Sequence, residues 1–304
     1  MKSLLPRTWI LFAVLTLAAC SKNTEDLTDP VPEPPVVVPP TPVTDNDAIL
    51  LGNPTNAVTS TGYPENYLKD NLYYKLAYSR SKGTPVWVAW HLQREDIGST
   101  SRQDDFRPDD KLPVDWYHVD NASYSNSGFD RGHNCPSADR TTTTIANSST
   151  FLMTNIIPQA PLMNQGPWEG LEDFVRNNLV AGNNEAYIFM GNYGQGGTGS
   201  NGVANTINAG RVNVPAYIWK VVVVMPKGNG DLARIDAGTT VLAVNMPNNN
   251  QLYSTNTAGK NAWRNYVVTV SDLELQANAA GIPLNLFKEI PENVRGVLKE
   301  KLYN

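Results

Sequence analysis

Cysteine is nearly absent from these 304 residues: Cys20 and Cys135 are the only two. A disulfide framework and a cysteine-built zinc site are therefore excluded. Histidine is almost as scarce, at His91, His118 and His133, so few arrangements of a histidine base exist. Positive charge is not in excess. The formal net charge of −5 argues against a protein that coats nucleic acid through bulk charge. It leaves room for a local basic cleft built from Arg131, Arg140 and Arg176. No internal repeat is visible. No apolar run is long enough to span a bilayer, since the stretch from Trp9 to Ala19 is too short.

That short run belongs to a targeting segment over residues 1–19. Lys2 and Arg7 supply its positive start, and it closes on Leu17-Ala18-Ala19-Cys20. This closing run resembles a bacterial lipobox, in which the cysteine is lipidated and becomes the mature N-terminus. An ordinary cleaved signal peptide with a chance cysteine is the alternative. Lipidation implies export and an anchor in the cell envelope, at the outer membrane, with the protein facing the periplasm or the outside. Residues 20–44 form a tether: Pro30-Val31-Pro32-Glu33-Pro34-Pro35 and Pro39-Pro40-Thr41-Pro42 favour extended polyproline II, a spacer of about 3 Å per residue. Residues 45–304 are long enough for one large domain. With Cys20 taken by lipid, Cys135 has no partner within the chain and reads as a small packing residue.

Strand signals dominate the first half of that domain. Tyr73 to Tyr78 and Val86 to Leu92 are aromatic and β-branched, and turn formers bound them. A loop-rich stretch from Asp96 to Ser127 and a polar loop from Thr141 to Ser149 flank the Asp130-Arg131-Gly132-His133 segment. Phe151 to Ile157 reads as a buried strand ended by Pro158. Asn164 to about Val180 is the best helix, with Pro167 in its first turn and Gly182 beyond its end. At 100° per residue, Trp168, Leu171, Val175 and Leu179 share one apolar stripe. Asn164 projects into the middle of that stripe, and Glu172 and Arg176 lie along its edge. Further strands read over Tyr187–Met190, Ala216–Met225, Thr240–Val244 and Tyr266–Val270. The Gly194 to Gly202 loop lacks the lysine and context of a phosphate-binding loop and reads as a hairpin. Ser271-Asp272-Leu273-Glu274 has a capping-box pattern, and Pro291 to Leu302 forms a last helix. Strands with a few helices in no strict alternation point to a mixed α+β fold.

The chemistry concentrates between residues 130 and 176. His133 has an ordinary pKa of about 6.5, so it is neutral at working pH and able to take a proton from water. Gly132 before it permits a backbone geometry that a bulky residue resists. Asn164 is either a helix cap or a metal ligand, and the two are compatible; Mg²⁺ is usually held by one or two protein oxygens plus substrate phosphates. Glu172 and Arg176, spaced i,i+4, suit either a surface pair or a site. A base, an amide oxygen, a carboxylate and arginines together suit phosphodiester hydrolysis.

Four ordered runs carry a resemblance: Asp130-Arg131-Gly132-His133, Thr154-Asn155-Ile156-Ile157-Pro158-Gln159, Met163-Asn164-Gln165-Gly166-Pro167-Trp168 and Leu171-Glu172. Their spacing, 31 residues from His133 to Asn164 and eight from there to Glu172, also matches. The chain resembles the DNA/RNA non-specific endonucleases, the ββα-metal nucleases that include mitochondrial endonuclease G, over most of residues 48–304. The resemblance implies a largely antiparallel sheet core with a ββα-metal motif carrying the active site. It implies Mg²⁺, with Mn²⁺ as a substitute, and cleavage of DNA and RNA without sequence preference to leave 5′-phosphates. His133 would activate water, Asn164 would be the direct metal ligand, and Glu172 would hold the ion's water shell. Arg131 and Arg176 would stabilise the phosphorane-like state, with Asn155 supporting the site. Some members carry an arginine in the strand where this chain has Trp90-His91-Leu92. His91 either replaces that contact or is a half-buried strand residue, the favoured reading; His118 reads as structural. A catalytically silent lipoprotein that binds glycan or protein and a phosphodiesterase for small nucleotides are the competing functions.

Overall fold

Alternating apolar residues build the central sheet. The computed structural model describes residues 45–304; the leader, Cys20 and the tether read from the sequence lie outside the described residues. The strands are β1 Tyr67–Asp70, β2 Lys75–Ser79, β3 Thr84–Gln93, β4 Asp130–His133, β5 Ile156–Gln159 and β6 Asn184–Tyr193. The short β7 Gly197–Gly199, β8 Gly202–Ala204, β9 Thr206–Ile207 and β10 Val212–Asn213 follow. β11 Tyr217–Pro226, β12 Thr240–Pro247 and β13 Val267–Val268 complete the set. Seven of them form one antiparallel sheet in the order β1-β2-β3-β6-β11-β12-β13. The fold is mixed α+β, as expected.

Period-2 alternation sends each strand's side chains to opposite faces. Val88, Trp90, Ile188, Met190, Ile218, Val222, Leu242 and Val244 fill one face, and Trp87, Ala89, Tyr187, Phe189, Trp219, Val221 and Val241 the other. Both faces are covered, which is why the central strands read as continuous apolar runs. On the second face lie α6 Val270–Ala279 and α7 Glu292–Lys299, through Val270, Leu273, Ala277 and Leu298. The first face carries a helical run from residue 161 to 179. It consists of α2 Pro161–Met163, a π turn Asn164–Trp168, α3 Glu169–Phe174 and a second π turn Val175–Leu179. The expected stripe of Trp168, Leu171, Val175 and Leu179 is buried there. Each aliphatic member is worth about 1.5–3 kcal/mol.

Several boundaries differ from expectation for physical reasons. Pro161, not Pro167, opens the helical run; Pro167 sits inside it, where a π turn tolerates its missing N–H. Residues 151–155 form turns and a 3₁₀ segment rather than a strand. The strand begins at Ile156 and runs through Pro158, which the two-stranded β4–β5 ribbon admits because it is all edge. The polar loop after Thr141 contains the helix α1 Thr144–Ser149, capped by the Thr143 side chain. Thr269, not Ser271, caps α6, accepting from Asp272 N at 3.0 Å. The Gly194–Gly202 loop does hold a hairpin, β7 with β8. The short α4 Asp231–Arg234 follows β11, and against the middle of the helical run lies α5 Thr257–Lys260. A Cβ on Gly170 would overlap the Lys260 carbonyl oxygen, so only glycine permits this backbone approach.

Candidate active site

The β4–β5 ribbon presents the base. Register pairs Asp130 with Gln159, Gly132 with Ile157 and His133 with Ile156. Gly132 has no positive φ; a Cβ there would collide with the Gln159 side chain. Its glycine answers a shortage of space, which corrects the expectation of an unusual backbone geometry. The His133 ring lies between Phe106 and Phe151, with centroids at 5.4 and 4.8 Å. Its Nε2 is buried without a partner, so Nδ1 is the nitrogen that faces the cleft. Burial, with Arg102 and Arg131 adding to it, lowers the imidazole pKa to about 3, and the ring stays neutral at any working pH.

The helical run presents the rest. Asn164 was expected inside the apolar stripe, but it is only half-buried. Gly166, at φ −108° and ψ −108°, breaks the phase between Asn164 and Trp168 and lets the amide swing out. Asn164 Nδ2 donates to Asp130 Oδ2 at 2.9 Å, and Gln165 Nε2 donates to the same oxygen at 2.8 Å. Asn164 Oδ1 is left without a protein partner among the described residues. Glu172 is held from below by Lys220 Nζ, 3.3 Å from Oε1. Burial raises the Glu172 pKa, and Lys220 and then Arg176 oppose that rise. Arg176 pairs with Asp139 at 2.8 Å and Asp173 at 2.7 Å.

His133, Asn164, Glu172, Arg131 and Arg176 all line one cleft of about 380 Å³, together with Arg102. A second hollow, lined by Asn121, Tyr124 and Phe129, continues from it past Arg102, Arg131 and Asn164. Arg131 lies 4.3 Å over Phe106 and donates to Asn121. Sequence reading missed Arg102, whose guanidinium lies 4.8 Å over Phe151, donates to Ser137 Oγ at 2.8 Å and pairs with Asp104. Its loop has no periodicity to show that it folds back onto β4.

Other expected residues stand elsewhere. Asn155 is fully buried and does not touch the cleft. Its amide accepts from Cys135 N and donates to the carbonyls of Cys135 and Thr150, at 2.8–2.9 Å, which ties down the chain after His133. Arg140 is not part of a basic cleft: it is buried, donating to the carbonyls of Tyr73, His91 and Asp139. Cys135 is buried, and burial raises its thiol pKa far above the ordinary range. His118 Nε2 lies 3.2 Å from the Pro113 carbonyl. His91 is buried rather than half-buried and points to the opposite sheet face. There His91, Glu185 and Asp231 place three possible metal-ligand atoms within 4.8 Å of one another. Arg234 Nη2 already bridges both carboxylates at 2.7 and 2.6 Å, and the Tyr187 hydroxyl donates to Asp231. Arg234 compensates the cluster's negative charge in part, and the cluster does not face the cleft.

The family model of the DNA/RNA non-specific endonucleases matches residues 51–293. The chain belongs to this family. The endonuclease is 45% identical over 226 residues to a nuclease of Nostoc sp., across 74% of its own length and 77% of the relative's. It is 31% identical over 167 residues to human mitochondrial endonuclease G, spanning 53% of its own chain and 56% of that protein. A chain in the crystal structure of the EndoG/EndoGI complex shares the fold at a TM-score of 0.62 and 23% identity, covering 81% of this endonuclease and 92% of that chain. The enzyme is a phosphodiester hydrolase that takes nucleic acid as substrate.

Proposed function

We propose that the cleft between β4 and the helical run hydrolyses DNA and RNA with the help of a bound Mg²⁺. The carrying observation is the orientation of Asn164: its Nδ2 is fixed on Asp130, which leaves Oδ1 as a free oxygen in the same cleft as Glu172 and His133. One neutral oxygen beside a carboxylate fits a hard, hydrated cation better than a softer metal that needs a closed cage. Asn164 would hold the ion, and Glu172 would hold its water shell. The ion would supply Lewis-acid charge on the phosphoryl oxygens; Mn²⁺, with similar ligand preferences, would substitute.

His133 Nδ1 takes the proton of the attacking water. A base with a depressed pKa is a weak proton acceptor, but it is unprotonated at every working pH. Charge build-up on the phosphate as substrate binds, facing Arg102 and Arg131, offsets part of that depression. Arg131, Arg102 and Arg176 supply positive charge where negative charge develops. Breaking the bond to the 3′ oxygen leaves the 5′-phosphate that the motif resemblance implies. The continuous second hollow suits a polynucleotide rather than a single nucleotide, which disfavours a small-nucleotide phosphodiesterase. Asn155 acts through the backbone after His133.

Plasmid nicking with and without EDTA, beside end-labelling of the products, tests this reading. Activity that survives EDTA, or 3′-phosphate ends, would overturn it. We also propose that the chain is exported and lipid-anchored through Cys20, on the strength of Leu17-Ala18-Ala19-Cys20. Cys20→Ser is expected to release the mature domain from the membrane fraction or to block its processing. Unchanged fractionation and mass would refute the anchor.

A further inference from the structure

Lys220 sits where the strand pattern calls for an aliphatic residue. On β11, Ile218, Lys220, Val222 and Val224 share the face beneath the helical run, and Lys220 is 2% exposed. A buried ammonium is strongly disfavoured unless charge partners compensate it. Its one ion-pair partner among the described residues is Glu172 Oε1. Its remaining surroundings are the indole faces of Trp168 at 4.8 Å and Trp90 at 5.5 Å from Nζ, which attract a cation without offering a directed acceptor. Trp90 is itself pinned, its Nε1 donating to Asp139 Oδ2 at 2.9 Å, and Asp139 Oδ1 holds Arg176. The ammonium is thus caged so that its one directed contact goes to the carboxylate of the cleft. A lysine kept only for packing is poorly explained here, since methionine would fill the same volume without desolvating a charge.

We propose that Lys220 is a positioning residue of the active site, which holds one oxygen of Glu172 from beneath the helical run and leaves the other turned to the cleft. This deepens the reading above and rests on it. Lys220 touches neither substrate nor ion; it fixes the carboxylate that would hold the ion's water shell.

The test is a double-mutant cycle on the full enzyme, Lys220→Met and Glu172→Ala alone and together, with Lys220→Arg as the conservative variant. Mg²⁺ dependence of the rate and calorimetry of Mg²⁺ binding without substrate are read for each. Lys220→Met is expected to stay folded, to raise the Mg²⁺ needed for half-maximal rate about tenfold, and to weaken Mg²⁺ binding in parallel. Lys220→Arg should restore part of both. In the Glu172→Ala background, Lys220→Met should add nothing further. Tryptophan fluorescence supplies an independent readout, because loss of the cation over Trp90 and Trp168 alters their emission if the cage is as described. Parental Mg²⁺ dependence in Lys220→Met, or equal losses from Lys220→Met with and without Glu172, would overturn the positioning role. Should Lys220→Met fail to fold, Lys220→Arg and Lys220→Gln decide by the same Mg²⁺ shift. If Glu172→Ala is itself fully active, the cleft assignment fails instead, so the two failures are distinguishable.

Discussion

The central sheet carries a buried charge network on each face, and only one of them is open. On the face beneath the helical run, Lys220, Glu172, Arg176 and Asp139 interlock, and Glu172 reaches the cleft. On the other face, His91, Glu185, Asp231 and Arg234 interlock with Tyr187, and the cluster closes on itself. The residue types are nearly the same, and by proximity alone the closed cluster is the better metal site. What separates them is where their unpartnered atoms lie. Arg234 bridges both carboxylates of the closed set and leaves His91 Nε2 without a hydrogen-bond partner in a buried position away from the cleft, whereas Asn164 Oδ1 and one Glu172 oxygen remain free at the cleft itself. A group of ionisable side chains becomes a site when its unpartnered atoms lie where something else can reach them.

That contrast breaks most easily at the base. His133→Ala is expected to lower the cleavage rate by about 10²–10⁴, with melting temperature and circular dichroism near the parent's. A purified variant that nicks supercoiled plasmid at the parental rate would remove His133 from the mechanism. Next in size is Asn164→Ala, with a severe loss partly recovered at high Mg²⁺, because only one of the ion's ligands is gone. Asn164→Asp should bind Mg²⁺ yet turn over slowly, its added charge weakening the ion's pull on the phosphate. Calorimetry beside a Mg²⁺ series of initial rates separates these two. Arg102→Ala is expected to cost about tenfold, less than the 10²–10³ of a dedicated oxyanion donor, since Asp104 already takes part of its charge; steady-state rates on an oligonucleotide measure it.

The smallest effect on turnover belongs to the closed face. His91→Gln should leave activity at pH 8 within about twofold, as expected for a conservative change outside the cleft, and yet change the acid side of the stability curve. Burial lowers the His91 pKa to about 4, against about 6.5 in an unfolded chain. Between those values the unfolded state binds a proton that the native state refuses. The native form is therefore favoured fully above about pH 6.5 and loses that advantage as pH falls towards 4. The slope from this one group is at most about 1.4 kcal/mol per pH unit. Thermal melts from pH 7 to 4 should show a flatter decline in His91→Gln than in the parent. Equal declines would mean that His91 is charged in the native state.

Much of the site was legible because its residues lie on short, contiguous segments. Asp130 to His133, and Asn164 with Glu172 eight residues on, carry their spacing in plain view. What escaped was phase and return. A 100° wheel placed Asn164 in the apolar stripe, and Gly166 with its π turn undoes that count. Arg102 reaches the cleft from a loop with no period, and Arg140, equally basic on paper, is consumed by three backbone carbonyls. Lys220 did leave a trace, a cation between Ile218 and Val222 on a buried strand. Strand alternation marks such a residue as anomalous, but the partner it was kept for is 48 positions away.

Gly170 ties the survival of the site to a loop that carries none of its chemistry. Because its missing side chain lets the Lys260 backbone press against α3, and Lys260 Nζ also reaches Glu169 at 2.9 Å, the run from 161 to 179 and the segment around α5 are expected to open as one unit. Slow amide hydrogen exchange in both segments should then share one opening free energy. Proteolytic nicking near Lys260 would become a clock for inactivation, running at the rate at which Asn164 and Glu172 are lost from the cleft.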